Sequence, residues 1–578
     1  MDGKGRSENL MQLHQDLEEA IAVVDAVKAR INKLAPVARL PDELLSEIFS
    51  ILADTQMPSW DLVWHVLVKR RPRPSRLGWM LVTHVCREWR RVAFGTPILW
   101  RRVTFSLGTQ LAKRMLTHAG QVPLSITVRP MSLSLAPEVA YRINSQLSHI
   151  RALDVAAKKA SLVWLVAHLR EPAPVLQTLC LTSQSENFLG SVDQVIFLPP
   201  NICHVETPAL LHLSLRNVFL PWKASLLSNL HTLSIVLPVF KHALDQDPDE
   251  APPVITDRTW QPKITGLIET LESMPDLESL TIHGALPVSD DDILHHSDSR
   301  YTPKVTMPRL SHLDLKGSME GVALLLAVLI LPLDVDMRIA SYRGDDRQDV
   351  KVRQLFDKIA SHLMVPSSNH SHIPVTKLRI TYRFPSITLQ CRMQPKVSRS
   401  TTLEFQYMDC MFHASESEVL EELFSRIQFR MLFSLDVAYF DPYGMDADCW
   451  NELIGQCNYT GVPKELNDIA IRHARLNSTT FEGFAQFLLM GVVERRGKDD
   501  PLPNLPNLRT LEIHSTPTTS PTLLNLPIIL EMRKKASAPL HKLVFDRFPI
   551  RLLSKSFLDK LKAVVPEVVV QNPTHDLD

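Results

Sequence analysis

The chain has 578 residues, too many for one ordinary compact core, so several domains or an elongated array are expected. Its 63 basic and 63 acidic side chains give a formal net charge of +0, which excludes long-range attraction for nucleic acid or an anionic membrane. With 18 Gly against 41 Pro, Gly-rich phosphate loops are disfavoured and many short elements punctuated by Pro are expected. No apolar run follows the charges of Met1 to Arg6, so the start does not read as a secretory signal. The greasiest stretch, Val322 to Leu331, is about half the length a membrane span requires, and a soluble protein is expected. Cys86, Cys180, Cys203, Cys391, Cys410, Cys449 and Cys457 form no CxxC pair, and most lie in apolar runs. That usage fits reduced thiols in an intracellular compartment, cytoplasmic, nuclear or both.

In chain order, the first element is a helix over 8–35. Leu10, Leu13, Leu17, Ala20, Val24, Val27, Ile31 and Leu34 alternate steps of three and four, an a/d heptad seam that Ile21 widens and Pro36 ends. Two readings fit it: a coiled coil with a second copy, giving weak self-association, or a single helix docked on its own domain. A seam this short is marginal for a free coiled coil, so the docked helix is the simpler expectation.

Between 36 and 105 the pattern predicts a small helical domain. Leu40-Pro41-Asp42-Glu43-Leu44-Leu45 reads as a helix start, with Pro41 at the first helical position and Asp42 and Glu43 on the positive end of the helix dipole. A polar loop follows, including the basic run Lys69 to Arg76, whose simpler reading is an exposed, extended segment rather than a nuclear address. A second helix is expected to carry Leu81, Val82, Val85, Cys86, Trp89, Val92 and Ala93, before Thr96-Pro97-Ile98-Leu99-Trp100. So broad an apolar stripe cannot all be hidden inside roughly 60 residues, and some of it should meet a partner.

These residues resemble a known motif. Leu40-Pro41-x-Glu43-Leu44-Leu45-x-x-Ile48-Phe49, then Val85-Cys86-Arg87-x-Trp89-Arg90-x-Val92-Ala93, then Pro97-x-Leu99-Trp100 is similar to the F-box, in the form expanded among mushroom-forming fungi. The resemblance implies docking on the Skp adaptor of a cullin–RING ubiquitin ligase, through Leu40, Pro41, Leu44, Leu45, Ile48, Phe49, Val85, Trp89 and Trp100. The sequence departs from compact boxes by an insert at about 53–79, which bears on the docking surface.

From about 120 to 570 one unit recurs: apolar, two residues, apolar, one residue, apolar. Copies begin at Ile150, Leu176, Leu210, Leu230, Leu277, Leu310, Leu432, Leu466, Leu508 and Leu540, with weaker versions at Val375 to Ile380 and Leu403 to Phe405. Each ends in a short strand with one buried face. Helical stretches lie between them, at 162–169, 264–274, 322–331, 350–363, 418–427, 481–493 and 552–564. Such a unit cannot bury its apolar face alone, so neighbours must stack. The pattern resembles divergent leucine-rich repeats, with Asn217 and Asn477 near the usual Asn position but out of register. The fold expected is therefore α plus α/β: the N-terminal helix, the helical F-box domain, and an irregular leucine-rich-repeat solenoid. Its parallel strands would line the concave face and its helices the convex face. An ordinary α/β domain is the alternative.

Motifs for chemistry are sparse. The sequence has no nucleotide loop, zinc helix, serine elbow or paired zinc cysteines. Cys449 and Cys457 read as core residues, His295-His296 beside Asp290 to Asp292 as a solvated insertion, and Asp245 to Glu250 as an acidic loop. His212, His231, His283 and His312 recur around the strands. Of these, His212, His231 and His312 are read as sharing the slot just before the second anchor, on the concave side, where a pH-sensitive or hydrogen-bonding surface and ordinary strand polar residues are equally good explanations. No catalytic, cofactor or metal residues are assigned. The expected role is a substrate-recruiting adaptor subunit of a ubiquitin ligase, not an enzyme, with a free-standing repeat scaffold as the alternative.

Overall fold

A computed structural model of the chain describes residues 3–58, 77–105, 107–129, 137–169, 171–184, 195–198, 207–222, 224–238, 264–286, 304–332, 335–342, 355, 358–359, 375–383, 386–393, 401–408, 432–439, 450, 471–493, 505–514, 521–549 and 553–572. The chain divides into two compact units, Met1–Phe188 with Gln194–Phe219, and Leu189–Asp193 with Leu220–Asp578.

The first unit begins with helix α1 (Gly3–Leu34). The docked-helix expectation fails here. Leu10, Leu13, Leu17, Val24, Val27, Ile31 and Leu34 all stand exposed, Leu34 at 81%. What ties the helix to the rest is its opposite edge, where Asp25 pairs with Arg87, and the short 3-10 turn Pro36–Arg39 at its end. Among the described residues the exposed apolar side chains of the following region, Leu44, Ile48, Ile51, Leu81 and Val85, leave the seam uncovered.

Helix α2 (Asp42–Thr55) starts one residue later than expected. Pro41 caps it from outside with an extended ψ of 158°. The second long helix is broken in two, a 3-10 segment Gly78–His84 and helix α3 (Arg87–Phe94). Between them Cys86 is extended, φ −155°, and its Sγ accepts the Trp89 N–H at 3.4 Å, so the thiol does the work of an N-cap oxygen. Arg90 Nε then donates to the Thr83 carbonyl at 2.7 Å and fastens the two pieces together.

Leu45, Phe49, Trp79, Val92, Leu99 and Trp100 form the core of this region. Trp79 meets Trp100 edge-on at 4.9 Å, and the Trp100 indole N–H donates to the Ala93 carbonyl at 2.8 Å. The two ends of the insert are pinned side by side: Trp79 N–H donates to the Gln56 carbonyl at 2.8 Å. Gly78 makes that crossing with φ +52°, and a Cβ there would lie 2.4 Å from the Gln56 oxygen. The helical region therefore closes as if the insert were absent.

Strand β1 (Arg102–Thr104) follows directly, and helix α4 (Thr109–Ala119) sends His118 to stack on Phe94 at 4.6 Å. Strands β2 (Leu124–Val128), β3 (Ile150–Lys158) and β4 (Thr178–Gln184) come next, then the short pair β5 (Ile196–Phe197) and β7 (Val218–Phe219) around β6 (His212–Arg216). The main sheet runs β1-β2-β3-β4-β6, every pair parallel. Helices α5 (Pro137–Ser145) and α6 (Lys159–His168) fill the connections on either side of β3.

The second unit carries β8 (Thr232–Val236), α7 (Ile264–Glu272), β9 (Ser279–His283), the short β10 (Val305–Thr306), β11 (His312–Ser318), α8 (Met319–Val328), the short β12 (Leu329–Ile330) and β13 (Asp336–Tyr342). Then come β14 (Val375–Arg383), β15 (Ser386–Met393), β16 (Thr401–Met408), β17 (Ser434–Tyr439), β18 (His473–Asn477), α9 (Ser478–Val493), β19 (Thr510–His514), α10 (Leu526–Lys535), β20 (Lys542–Asp546), α11 (Lys555–Val564) and β21 (Glu567–Gln571). The sheet order is β8-β9-β11-β13-β16-β15-β14-β17-β18-β19-β20-β21. Pairs are parallel except the two that β15 makes, where the chain turns back on itself.

The apolar triplets predicted from sequence form one buried face. Leu277, Leu280 and Ile282 are fully buried, as are Leu230, Leu233 and Ile235, and the same holds within 2% for the copies at Ile150, Leu310, Leu508 and Leu540. Stacking is also written in the backbone: the residue after the first anchor donates to its counterpart one copy earlier, as Gln177 to Arg151, Ser311 to Glu278 and Arg509 to Arg472. The copy assigned to Leu466 is one of the corrections. Arg472 N–H donates to the Phe433 carbonyl, which makes Ile471 the first anchor and Ala474 and Leu476 the others. The helix expected over 322–331 starts earlier and ends at Val328, where Leu329 and Ile330 become strand. Strands β1, β2, β13, β15 and β21 were not among the predicted copies. The helix expected at 418–427, the basic run at 69–76, His295-His296, the Asp245 to Glu250 loop, Cys449 and Cys457 lie outside the described residues.

Asn217 and Asn477 are both structural. Asn217 sits at φ +55° and donates to the Ser183 carbonyl at 2.9 Å, joining neighbouring copies. Asn477 accepts from the Thr480 N–H at 3.2 Å and hydroxyl at 2.6 Å, capping α9. Among the described residues no helix is long and apolar enough to cross a membrane.

Candidate functional site

Helix α2 has two apolar stripes. One, Leu45, Phe49 and Ala53, is buried, and Phe49 packs on the Trp89 ring with centroids 5.2 Å apart. The other, Leu44, Ile48 and Ile51, follows i, i+4, i+7 spacing and is 46%, 43% and 61% exposed. On the 3-10 segment that packs against α2 and at the residue that ends it, Leu81 and Val85 are likewise exposed. An exposed leucine alone is ordinary, but a row of them along one helix edge is a candidate interaction surface. Around it Asp42 pairs with Arg91 Nη2 at 2.6 Å, and Asp54 with Arg101 at 3.1 Å, both at the wet rim.

The residues predicted to dock thus divide. Leu44, Ile48 and Val85 are exposed, Pro41 is exposed ahead of the helix, and Leu40 is half-buried beside it. Leu45, Phe49 and Trp100 are at most 3% exposed and belong to the core of the region, while Trp89 is half-buried against Phe49. The buried group positions the face rather than offering it. Ile51 and Leu81 share the exposed edge but stand outside the predicted set, because the motif's wording, not helix spacing from Leu44, set it.

Residues 37–106 match the F-box-like family model. The chain carries an F-box-like domain.

No curated protein matches the chain. Among solved structures, the leucine-rich-repeat-containing protein LegL7 from Legionella pneumophila is similar over 53% of this chain and 89% of its own, at 12% identity and a TM-score of 0.23.

Beyond the F-box-like domain, the second unit presents a polar sheet face. From β8 to β19 the residue between the second and third anchor lies on it, and neighbouring strands bring these residues into register; in β20 that place is taken by the buried Val544. Asp314 faces Arg338, Arg338 faces Glu404, Arg379 faces Asp436, Asp436 faces Arg475, and Arg475 faces Glu512. Charge alternates across the strands, with Gln390 of β15 between Glu404 and Arg379. Arg379 Nε donates to Asp436 at 2.7 Å, and His283 pairs with Asp314 at 2.8 Å.

At one end of this row Glu512, His514 and Asp546 bring donor atoms within 4.8 Å of one another. A cation is already among them: Arg475 Nε lies 3.3 Å from Glu512 and its Nη2 3.9 Å from Asp546. Asn572 Nδ2 donates to Asp546 at 3.0 Å. The group is a compensated network closing the row. Beside it, burial pushes the His473 imidazole below its usual pKa, while Glu512 and Asp436 pull it back up. Sequence reading missed the cluster, whose members come from separate strands. His212 and His312 are exposed, and His231 is half-buried one position earlier in its copy.

Proposed function

We propose that this chain is a substrate-recruiting adaptor subunit of a cullin–RING ubiquitin ligase, whose F-box-like domain docks on a Skp-type adaptor and whose repeats, read as a leucine-rich solenoid, hold a target protein on the polar sheet face. The observation that carries the reading is the wet apolar edge of α2, Leu44, Ile48 and Ile51, with Leu81 and Val85 beside it. A domain serving only to cap the repeats would account for Phe94 and Trp100, which meet His118 of α4. It would leave the α2 edge without a purpose. Docking would bury those side chains as hot spots, on the order of 2 kcal/mol each. The ligase reaction would then be accelerated by proximity alone.

The alternating row fits target recognition by register. Its four carboxylates stand against three guanidiniums, so net attraction contributes little, and a mismatched surface would set like charges against it. The test is co-purification of the full-length chain with a Skp adaptor. A stoichiometric complex that Leu44→Glu plus Ile48→Glu abolishes, and that Asp436→Ala leaves intact, is expected. Absence of any complex with the unaltered chain, or one indifferent to the α2 changes, overturns the reading.

A further inference from the structure

Helix α1 leaves one face unexplained. Its heptad seam is exposed along its length, and the contact it makes with the F-box-like domain, Asp25 to Arg87, comes from the other side of the helix. At 100° per residue Asp25 stands some 130° from the middle of the seam. Ala29, half-buried, is farther round still. The domain therefore sits where a coiled coil keeps its outer positions, and the seam faces away from it.

We infer that α1 pairs with the α1 of a second copy as an antiparallel coiled coil centred on Ala22. Leu10 then lies opposite Leu34 of the second copy, Ala20 lies opposite Val24, and every layer between is apolar. The flanking positions decide direction. Antiparallel, Asp16 meets Arg30 twice, once at each end, and Val23 meets its own copy between them. On the other flank Ile21 meets Ile21, with His14 facing Lys28, a pair without opposite charge. Parallel and in register, Asp16 would face Ile21, Lys28 would face Val23, and Ala20 would face Ala20, leaving a thin layer and no ion pair. Sliding the antiparallel pair by one heptad removes two layers and separates Asp16 from Arg30.

The inference is independent of the ligase reading. Sedimentation equilibrium of the full-length chain tests it. The unaltered chain is expected to be a dimer, and Leu17→Glu plus Val24→Glu a monomer whose F-box-like domain and repeats keep their hydrogen-exchange protection, since within one chain both side chains are exposed. Asp16→Arg alone, and Arg30→Asp alone, each turn two attractive contacts repulsive and should weaken the dimer about tenfold or more. Mixing those two variant chains should restore it, because each then supplies the charge the other lacks. The dimer should persist with Leu44→Glu plus Ile48→Glu, which separates it from association through the F-box-like face. A monomeric unaltered chain, a dimer indifferent to the seam changes, or a mixture no tighter than its components overturns the inference.

Discussion

Replacing Gly78 by Ala asks whether the insert truly starts and ends at one point. With φ at +52°, a side chain there costs about 1–2 kcal/mol from backbone conformation alone. The new Cβ would also stand 2.4 Å from the Gln56 oxygen and 2.8 Å from the Met57 carbonyl carbon, both backbone atoms with no rotamer to yield. Relieving that clash separates the two strands of chain and stretches the 2.8 Å bond from Trp79 N–H to Gln56, worth about 1 kcal/mol. The sum is about 3 kcal/mol, or roughly a hundredfold in the opening equilibrium. Hydrogen exchange read peptide by peptide is the suitable assay, because it reports opening of one region inside a large protein. Amides of α2 and α3 should lose roughly two decades of protection, while those of β19 and β20 keep theirs as an internal standard. Protection of α2 and α3 within threefold of the unaltered chain would refute the pinned crossing.

Other outcomes follow from neighbouring contacts. Phe49→Ala should cost about 3–5 kcal/mol by opening a cavity under Trp89, whereas Ile48→Ala, nearly half wet already, should cost about 1 kcal/mol, both read by chemical unfolding. Burial pushes the Cys391 thiol up to about 12, so an alkylating reagent at neutral pH should leave it unmodified until the second unit unfolds; rapid labelling would place β15 outside the sheet. His473 is depressed in the folded state, so its contribution is fully present above about 6.5 and lost as pH falls from there through the folded value. Chemical unfolding as a function of pH should show stability declining on acidification, and His473→Gln should flatten that decline.

How legible all this was depended on the direction in which a pattern runs. The F-box-like domain was readable because its anchors sit close together along one chain, in fixed order. Its broken second helix was not, since the apolar stripe of Leu81, Val82, Val85, Trp89, Val92 and Ala93 continues across Cys86, and a thiol is a rare cap. The strand copies were readable where leucine or isoleucine fills all three anchor slots. Where Ala474 fills the second slot, the competing triplet at Leu466 had better letters and took the assignment. Strand β13 keeps the last two anchors in Met337 and Ile339, but the sequence has Asp334 three residues before Met337, so the triplet is incomplete. The alternating charge row runs perpendicular to the chain, between residues far apart in sequence, and only the strand register brings it into view.

The reversed strand β15 has a consequence for how the second unit is made. Elsewhere each new strand can add to the one before it as the polypeptide emerges. Here β13, ending at Tyr342, pairs with β11 on one side but finds its other neighbour in β16, which starts at Thr401, while the earlier β14 must wait for β17. Growth of the sheet cannot cross this point one strand at a time. The three strands have to fold together as a meander and then join both flanks, a non-local step that should be slow and set the pace of folding for the whole unit.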